Sequence, residues 1–254
     1  MVDYPGLLAD LAAEEADLDV IVAGIDDDGW SSATPAAGWD VRDSIAHLAA
    51  SEELAATALS DADAFANRLT GMLGNLDRTE NSMLREGRSR SGAEVLAWWR
   101  AERNVVLVRL RTREPQDRIP WITGQMSAVS FATARLMETW AHGQDVVEGL
   151  GVVRAPTARL RHVADLGVRT RPFSYAVNGL ALPDADVRVE IMSPDGELWA
   201  WGASTTDVVR GDALDFCLVV TKRRHPDDTA LEVIGPIARE WIDIAQAFAG
   251  PPSK

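Results

Sequence analysis

Hydrophobic positions in the first 150 residues recur at the spacing of amphipathic helices, and polar loops separate the runs. A first helix is predicted over residues 7–25 and is expected to end at the acidic stretch Asp26-Asp-Asp-Gly29. Asp40, followed by Asp43 three residues later, resembles a capping box and predicts the start of a second helix. The pattern returns over residues 61–73, from Ser91 or Gly92 to a point before Pro115, and over 127–150, and Pro120-Trp-Ile-Thr-Gly124 predicts a turn. Long helices with short connections favour an antiparallel four-helix bundle.

The pattern changes after Val152. Ala155-Pro156 predicts a linker, and a helix is expected over residues 157–168. Residues 187–192 alternate as a half-buried strand does, and Pro194-Asp-Gly196 predicts a hairpin turn into residues 198–201. Two further helices are predicted over 212–220 and 236–248. The expected fold class is therefore α+β, with a four-helix bundle over residues 1–153 and a small α+β domain over residues 154–254.

Composition narrows the class of protein. A hydrophobic fraction of 46% with 25% charged residues is ordinary for a globular protein, and no run approaches the roughly 20 apolar residues of a membrane helix. The start of the sequence shows no secretory signal, and a single cysteine, Cys217, fits the reducing cytoplasm, where we expect the protein to be located. The net charge of −14 argues against a nucleic-acid partner, because phosphate binding requires a concentrated basic face.

Glu138 and His142 form the clearest candidate for chemistry. They lie four residues apart in a predicted helix, so both side chains project from one face, where a carboxylate and an imidazole can hold a divalent metal ion. His47, inside another predicted helix, is a candidate third ligand. Two histidines and one carboxylate leave a coordination position open, which catalytic zinc sites require. An ionised glutamate near a core also needs a compensating charge, which a metal provides.

Each candidate also has an ordinary structural interpretation. A lone histidine in an apolar stripe is most often satisfied by a hydrogen bond in the core, and Glu138 with His142 could be an exposed side-chain pair. Asp43, one turn before His47, and Asp145, three residues after His142, are candidates to orient the ligating imidazoles. Asp43 could instead only cap its helix, and Asp145 could be solvated.

Four other chemically active side chains are interpreted as structural. Glu52 and Glu53 are expected at the surface rather than as ligands. Cys217 lies in an apolar run and is expected to be buried and inert. His225 is expected to be a surface or capping residue.

Two segments resemble a known family. Gly38-Trp-Asp-Val-Arg-Asp-Ser-Ile-Ala-His-Leu48 resembles the first signature of the DinB-like metal-binding helical bundles, and Glu138-Thr-Trp-Ala-His142 resembles the second. Within that superfamily the chain is most similar to the mycothiol-dependent maleylpyruvate isomerase group of actinobacteria, which joins such a bundle to a small α+β domain. Residues 211–225 and 241–248 resemble an actinobacterial subgroup of uncharacterised metal-binding proteins. The resemblance implies His47, Glu138 and His142 as ligands of a metal that is usually zinc.

The resemblance also implies an activity. It suggests an enzyme that uses a low-molecular-weight thiol such as mycothiol, as co-substrate, for isomerisation or thiol transfer on a small electrophilic substrate. In the isomerase group an arginine of the C-terminal domain assists catalysis, and Arg223 or Arg224 lies in the segment that could supply it. The expected partners are therefore small molecules rather than nucleic acid or a membrane, and a homodimer stays open as an alternative to a monomer.

Two other function classes stay open. In a metal-dependent hydrolase the metal would ionise its own water, and Asp43 or Glu52 would be the candidate base. In a non-catalytic binding protein the metal would be structural or sensory and the second domain would carry an apolar small molecule. Trp199 and Trp201 in the predicted hairpin could line such a pocket, although aromatic strand residues are more often part of a core.

Overall fold

Helices make up most of the first half of the chain, and a mixed sheet appears in the second half. The computed structural model describes residues 3–73, 76–122 and 124–248. The chain separates into two units, Met1–Val153 and Arg154–Lys254. The first unit is mostly helical, and the second contains a four-stranded mixed sheet. This confirms the predicted α+β class.

The first unit contains seven helices and one β-hairpin within the described residues. They are α1 (Tyr4–Ala23), α2 (Asp27–Trp30), α3 (Val41–Ser60), α4 (Ala62–Leu73), α5 (Leu76–Arg88), α6 (Gly92–Leu110), β1 (Arg118–Trp121), β2 (Gly124–Ser127) and α7 (Ala128–Leu150). The helix α3 packs against α5, α6 and α7, and α1 packs against α6 and α7. The long helices α1, α3, α6 and α7 therefore enclose the core of this unit.

Local sequence sets the helix ends. Asp40 and Asp43 form the predicted capping box, in which each side chain accepts a hydrogen bond from the other residue's backbone N–H, at 2.8 and 3.2 Å. Ser127 caps α7, and Gly151, in the left-handed conformation with φ +64°, ends it. The predicted boundaries of α3 and α7, which carry the candidate ligands, are thereby confirmed at their capped ends.

Three elements of the first unit differ from the sequence prediction. The first helix ends at Ala23, before the acidic stretch as predicted, but Asp26 also caps the short helix α2, which was not predicted: its side chain accepts a hydrogen bond from the backbone N–H of Gly29 at 2.9 Å. Of the segment predicted as a turn, Pro120 and Trp121 lie in strand β1 and Gly124 lies in strand β2, which pairs antiparallel with β1; Thr123 lies outside the described residues. The helix α5 was not predicted, because its sequence is strongly polar and contains only three large apolar residues, Leu76, Met83 and Leu84. Gly87 lets α5 approach α3, since a Cβ there would lie 2.5 Å from that of Ala46.

The second unit surrounds a sheet with short helices. Its elements are α8 (Leu160–Arg169), α9 (Arg171–Val177), β3 (Arg188–Met192), β4 (Leu198–Trp201), β5 (Val208–Asp212), α10 (Ala213–Val220), β6 (Glu232–Ile234) and α11 (Pro236–Ile244). The strand order is β4-β3-β5-β6, with β3 and β5 parallel and the other neighbours antiparallel. The predicted hairpin is confirmed: Met192 pairs with Leu198, and Gly196 takes φ +81° in the turn.

Two helix ends in the second unit differ from the predicted ones. The first helix begins at Leu160 instead of residue 157. The last helix ends at Ile244 rather than at residue 248, because the backbone of Gln246 and Ala247 bonds elsewhere: their N–H groups donate to Ser174 Oγ at 3.0 Å and to the Val220 carbonyl at 2.8 Å. No helix in the described part of the chain combines the length and apolar character of a bilayer-spanning segment.

Candidate metal centre

The three candidate ligands converge between α3 and α7. His47 projects from α3, and Glu138 and His142 project from one face of α7. The Nε2 atom of His142 lies 3.6 Å from Glu138 Oε2, and the Nε2 atom of His47 lies 3.8 Å from the same oxygen. One ligand atom from each of the three residues lies within 4.8 Å of the others. The fold thus places the side chains of His47 and Glu138, which are 91 positions apart in the sequence, next to each other.

This donor set fits a divalent transition metal. Zinc binds histidine nitrogen and carboxylate oxygen at about 2.0–2.2 Å, so neighbouring donors of a tetrahedral site lie roughly 3.4 Å apart. The separations of 3.6 and 3.8 Å through Glu138 are close to that spacing. Two imidazoles and one carboxylate are also the donor types of catalytic zinc sites, which keep one position for water or substrate.

The protonation states favour metal binding. Burial alone would raise the pKa of Glu138, but the imidazoles of His142 and His47 and the charge of Arg135 outweigh it and hold that pKa well below its usual range. Burial and the neighbouring imidazole of His142 lower the pKa of His47, although Glu138 acts in the opposite direction. A carboxylate that is ionised and an imidazole that is neutral are the forms that coordinate metals.

Asp145 lies against the other side of the His142 ring. Its Oδ2 atom is 3.2 Å from His142 Nδ1, while Nε2 of the same ring faces Glu138. Asp145 is 5% exposed, so the carboxylate is buried rather than solvated. A carboxylate in this position can fix the tautomer and the orientation of a ligating imidazole.

Asp43 caps its helix, which is one of the two roles considered for it, and it also pairs with an arginine. Its fully buried carboxylate accepts hydrogen bonds from Arg88 Nε at 3.0 Å and Nη2 at 2.6 Å, besides capping α3. Arg88 Nη2 also donates to the carbonyl of Gly38, which holds the loop before α3. Asp43 therefore fixes the start of α3, and a role in orienting the His47 ring stays a prediction. The capping interpretation of Asp43 is the one that the geometry supports.

Trp39 is a site residue for which sequence reasoning gave no role. Its indole lies over both imidazoles, with ring centroids 5.4 Å from His47 and 6.0 Å from His142. It also borders a cavity of about 320 Å³ at the start of α3. The sequence feature that could have indicated a role for Trp39 is its position in the Gly38-Trp-Asp segment, directly before the residue that caps α3.

Glu52 was expected at the surface, and this prediction is wrong. The side chain is fully buried, and its carboxylate lies 3.7 Å from the guanidinium of the buried Arg135. The interpretation failed because the partner comes from α7, far away in sequence. Glu53, in contrast, is half-exposed and pairs with Arg68 at 2.8 Å, as a surface residue does.

The remaining candidates lie in the second unit. Cys217 is fully buried, and burial raises the pKa of its thiol, which confirms a structural residue. His225 is exposed and caps a short 3-10 turn by accepting a hydrogen bond from the Asp227 N–H at 3.2 Å, as predicted. Arg223 is half-buried and donates to the Thr221 carbonyl at 2.8 Å, whereas Arg224 is exposed. A catalytic role for either arginine stays a prediction.

The two strand tryptophans pack within their own unit. Trp199 is buried, with the guanidinium of Arg161 5.5 Å from its ring centroid. The indole N–H of Trp201 donates to Asp165 at 3.2 Å. Trp199 is therefore a core residue, as aromatic strand residues often are, whereas Trp201 is half-buried.

The fold and the donor cluster define a class: a helical unit with a His-Glu-His site, joined to an α+β unit. The family model described as the mycothiol maleylpyruvate isomerase N-terminal domain matches residues 11–147, more than half of the chain. The chain therefore belongs to this family. The match includes all three candidate ligands.

The chain is also similar to two mycobacterial proteins and, in fold, to two solved structures. Two uncharacterised proteins of Mycobacterium tuberculosis, from strains CDC 1551 / Oshkosh and H37Rv, are each 42% identical over 255 residues, which covers 100% of this chain and 99% of the relative. Two crystal structures of mycothiol-dependent maleylpyruvate isomerase are similar in fold. The one described as a point mutant gives a TM-score of 0.60 at 13% identity, and the other gives 0.59 at 15% identity. Each alignment covers 91% of this chain and 93% of the other, so the fold is shared along both units.

Proposed function

We propose that the protein is a zinc-dependent enzyme that uses a low-molecular-weight thiol, such as mycothiol, for isomerisation or thiol transfer on a small electrophilic substrate. The observation that carries this proposal is the convergence of His47, Glu138 and His142, whose ligand atoms lie within 4.8 Å of one another. Membership of the mycothiol maleylpyruvate isomerase N-terminal domain family supports it.

Each residue of the site has a distinct task in this proposal. His47, Glu138 and His142 hold the metal, and Asp145 orients the His142 ring from behind. A zinc ion held by these three residues would lower the pKa of a bound thiol, so that the thiolate form would be available at neutral pH. Trp39 covers one side of the imidazole pair and so restricts the direction from which a substrate can approach.

The cluster has three protein donors among the described residues, which favours a catalytic over a structural metal. A thiol needs a free coordination position, and a fourth protein ligand would remove it. We propose further that Arg223 or Arg224 binds an anionic group of the substrate or the thiol, since a guanidinium recognises carboxylates well. The hydrolase alternative has less support, because Arg88 and the α3 cap already occupy the carboxylate of Asp43.

Metal content is the first test. Protein purified without chelators should contain stoichiometric zinc, and the His47→Ala and His142→Ala variants should lose it. His225→Ala is the matched control, because this histidine is exposed and lies in the second unit. If both ligand variants kept the full metal complement, the proposed ligand set would be wrong.

Thiol dependence is the second test. Calorimetric titration of the zinc-loaded protein with mycothiol should show binding that a sulfur-methylated mycothiol does not reproduce. Equal binding of the methylated compound would show that sulfur does not bind the metal. Hydrolytic turnover of esters or amides without added thiol would instead support the hydrolase class.

A further inference from the structure

Directly beside the candidate ligands, a buried ion cluster joins α1, α3 and α7. It contains Arg135, Glu52 and Glu15, each at most 2% exposed. We propose that Arg135 is a positioning residue, which holds Glu138 and the alignment of α7 on α3 in the geometry that metal binding requires. This inference rests on the proposed metal site, and none of the three residues is a ligand in that site.

Arg135 contacts α3 one helical turn away from the point where Glu138 contacts it. On α7, Arg135 lies three residues before Glu138, and on α3, Ser51 lies four residues after His47. Arg135 Nη1 donates a hydrogen bond to Ser51 Oγ at 2.5 Å, just as Glu138 faces His47 across the same two helices. Both contacts, Arg135 with Ser51 and Glu138 with His47, join α7 to α3, so sliding or rotating α7 on α3 would break them together.

Other contacts fix the Arg135 side chain on its remaining sides. The guanidinium lies 3.7 Å from Glu52 Oε1, and it sits 4.8 Å from the ring centroid of Trp121 in β1. Trp121 is itself packed edge-to-face on Phe131, with ring centroids 5.1 Å apart. A long side chain held by three partners has lost most of its rotamer freedom and can act as a rigid spacer.

Arg135 faces several acidic side chains. Glu15 and Glu52 are buried and Glu138 is half-buried, and Arg135 interacts electrostatically with all three. Glu102 and Arg103 of α6 also interact electrostatically with Glu52. Neither carboxylate oxygen of Glu52 accepts a hydrogen bond within the described part of the chain, so attraction to Arg135 is its main compensation.

Arg103 offers a matched control. It too is mostly buried, and its guanidinium lies 4.3 Å from the ring centroid of Trp99. Its Nη1 atom donates to the Glu15 carbonyl at 2.7 Å, and it pairs with Asp19. Arg103 thus joins α6 to α1 and makes none of the contacts between α3 and α7. Removing it tests the general effect of losing a buried arginine.

The experiment compares zinc affinity, by chelator competition, with urea unfolding of the metal-free protein. Arg135→Met should weaken zinc binding by about 10- to 100-fold, the range typical for residues that orient metal ligands. Arg103→Met should lower stability but leave zinc affinity unchanged. Adding Glu52→Gln to Arg135→Met should recover part of the lost stability, because the buried carboxyl group that faced the guanidinium is then no longer ionisable, and should leave the zinc affinity low.

The outcomes separate this inference from the proposed function. If the wild-type protein does not bind zinc, the proposed function fails and this inference fails with it. If the wild type binds zinc and Arg135→Met binds it equally well, only the positioning role is wrong. The role is also wrong if Arg103→Met weakens zinc binding as much as Arg135→Met, or if the double variant regains zinc affinity along with stability.

Discussion

The indole of Trp39 lies nearly parallel to the imidazole of His142, with an angle of 13° between the ring planes and 6.0 Å between their centroids. The same indole meets the ring of His47 at an angle of 52°. The two imidazoles are themselves 4.5 Å apart. Trp39 therefore closes one side of the donor cluster. The hydrogen-bonded cap of Asp40 directly after it fixes the loop that carries it.

This stacking predicts a fluorescence signal for metal binding. A divalent charge held by His47 and His142 would lie close to the indole of Trp39, so zinc addition should change tryptophan emission in a saturable way. The Trp39→Phe variant should lose most of that change while still binding zinc. Trp201→Phe, which alters a half-buried tryptophan of the second unit, should keep the signal. An undiminished signal in Trp39→Phe would place the zinc elsewhere.

A second prediction concerns Asp145, whose carboxylate faces Nδ1 of His142. Asp145→Asn should lower zinc affinity by about 10- to 100-fold, because the amide no longer holds the ring in one tautomer as a carboxylate does. Chelator competition at constant pH measures the effect. Asp63→Asn is the control, since it removes one exposed negative charge from the same unit. Equal losses in both variants would indicate a general charge effect and no specific role of Asp145.

The sequence alone predicted part of this site, for reasons that are visible in the fold. Glu138 and His142 share a helix, so helical geometry fixes their common face. The meeting of His47 with that pair depends on how α3 packs on α7, and it was anticipated chiefly through the resemblance to a known family. The burial of Glu52 could not be seen, because its cation, Arg135, comes from the opposite helix.

The fold shows the same division between local and long-range information. The capping box at Asp40 and the turn at Gly196 were predicted because neighbouring residues make them. The strands β5 and β6 were not predicted. They are short, and β5 pairs in parallel with β3 across an intervening hairpin, so no local alternation identifies them. The helix α5 has a polar sequence and is held by the salt bridge of Arg88 with Asp43.

That salt bridge gives a third prediction. Asp43→Asn should destabilise the metal-free protein by about 1.5–3 kcal/mol, because the buried carboxylate accepts charged hydrogen bonds from Arg88. Urea unfolding measures the loss. Glu86→Gln breaks the exposed pair with Arg90 and should change stability by less than about 0.5 kcal/mol.

The same variant tests the assignment of Asp43 to the helix start. Zinc affinity of Asp43→Asn should match that of the wild type under conditions where both are folded, because Asp43 bonds to Arg88 and to the α3 cap rather than to His47. A loss of zinc affinity as large as that expected for Asp145→Asn would instead show that Asp43 does orient the imidazole of His47.

A fourth prediction links Glu52 to the pH dependence of stability. Burial raises its pKa from 4.5 to about 7, although Arg135 acts in the opposite direction. Between these two values the folded protein holds a proton that the unfolded chain releases. The stabilisation is therefore complete below about pH 4.5 and is lost as the pH rises through about 7. Glu15, whose pKa is also raised by burial and by the charge of Glu52, adds to the same trend.

Replacing Glu52 by glutamine should remove its share of this trend, because glutamine does not ionise. In metal-free protein with excess chelator, the wild type should lose on the order of 2–3 kcal/mol more stability between pH 4.5 and pH 8 than Glu52→Gln does. Urea unfolding at several pH values gives both curves. The neighbouring Glu53→Gln is the control, since Glu53 is half-exposed and bonds to Arg68, and its curve should follow the wild type. If Glu52→Gln also followed the wild type, Glu52 would already be ionised at pH 4.5 in the folded protein, and the buried cluster around Arg135 would carry more negative charge than its geometry indicates.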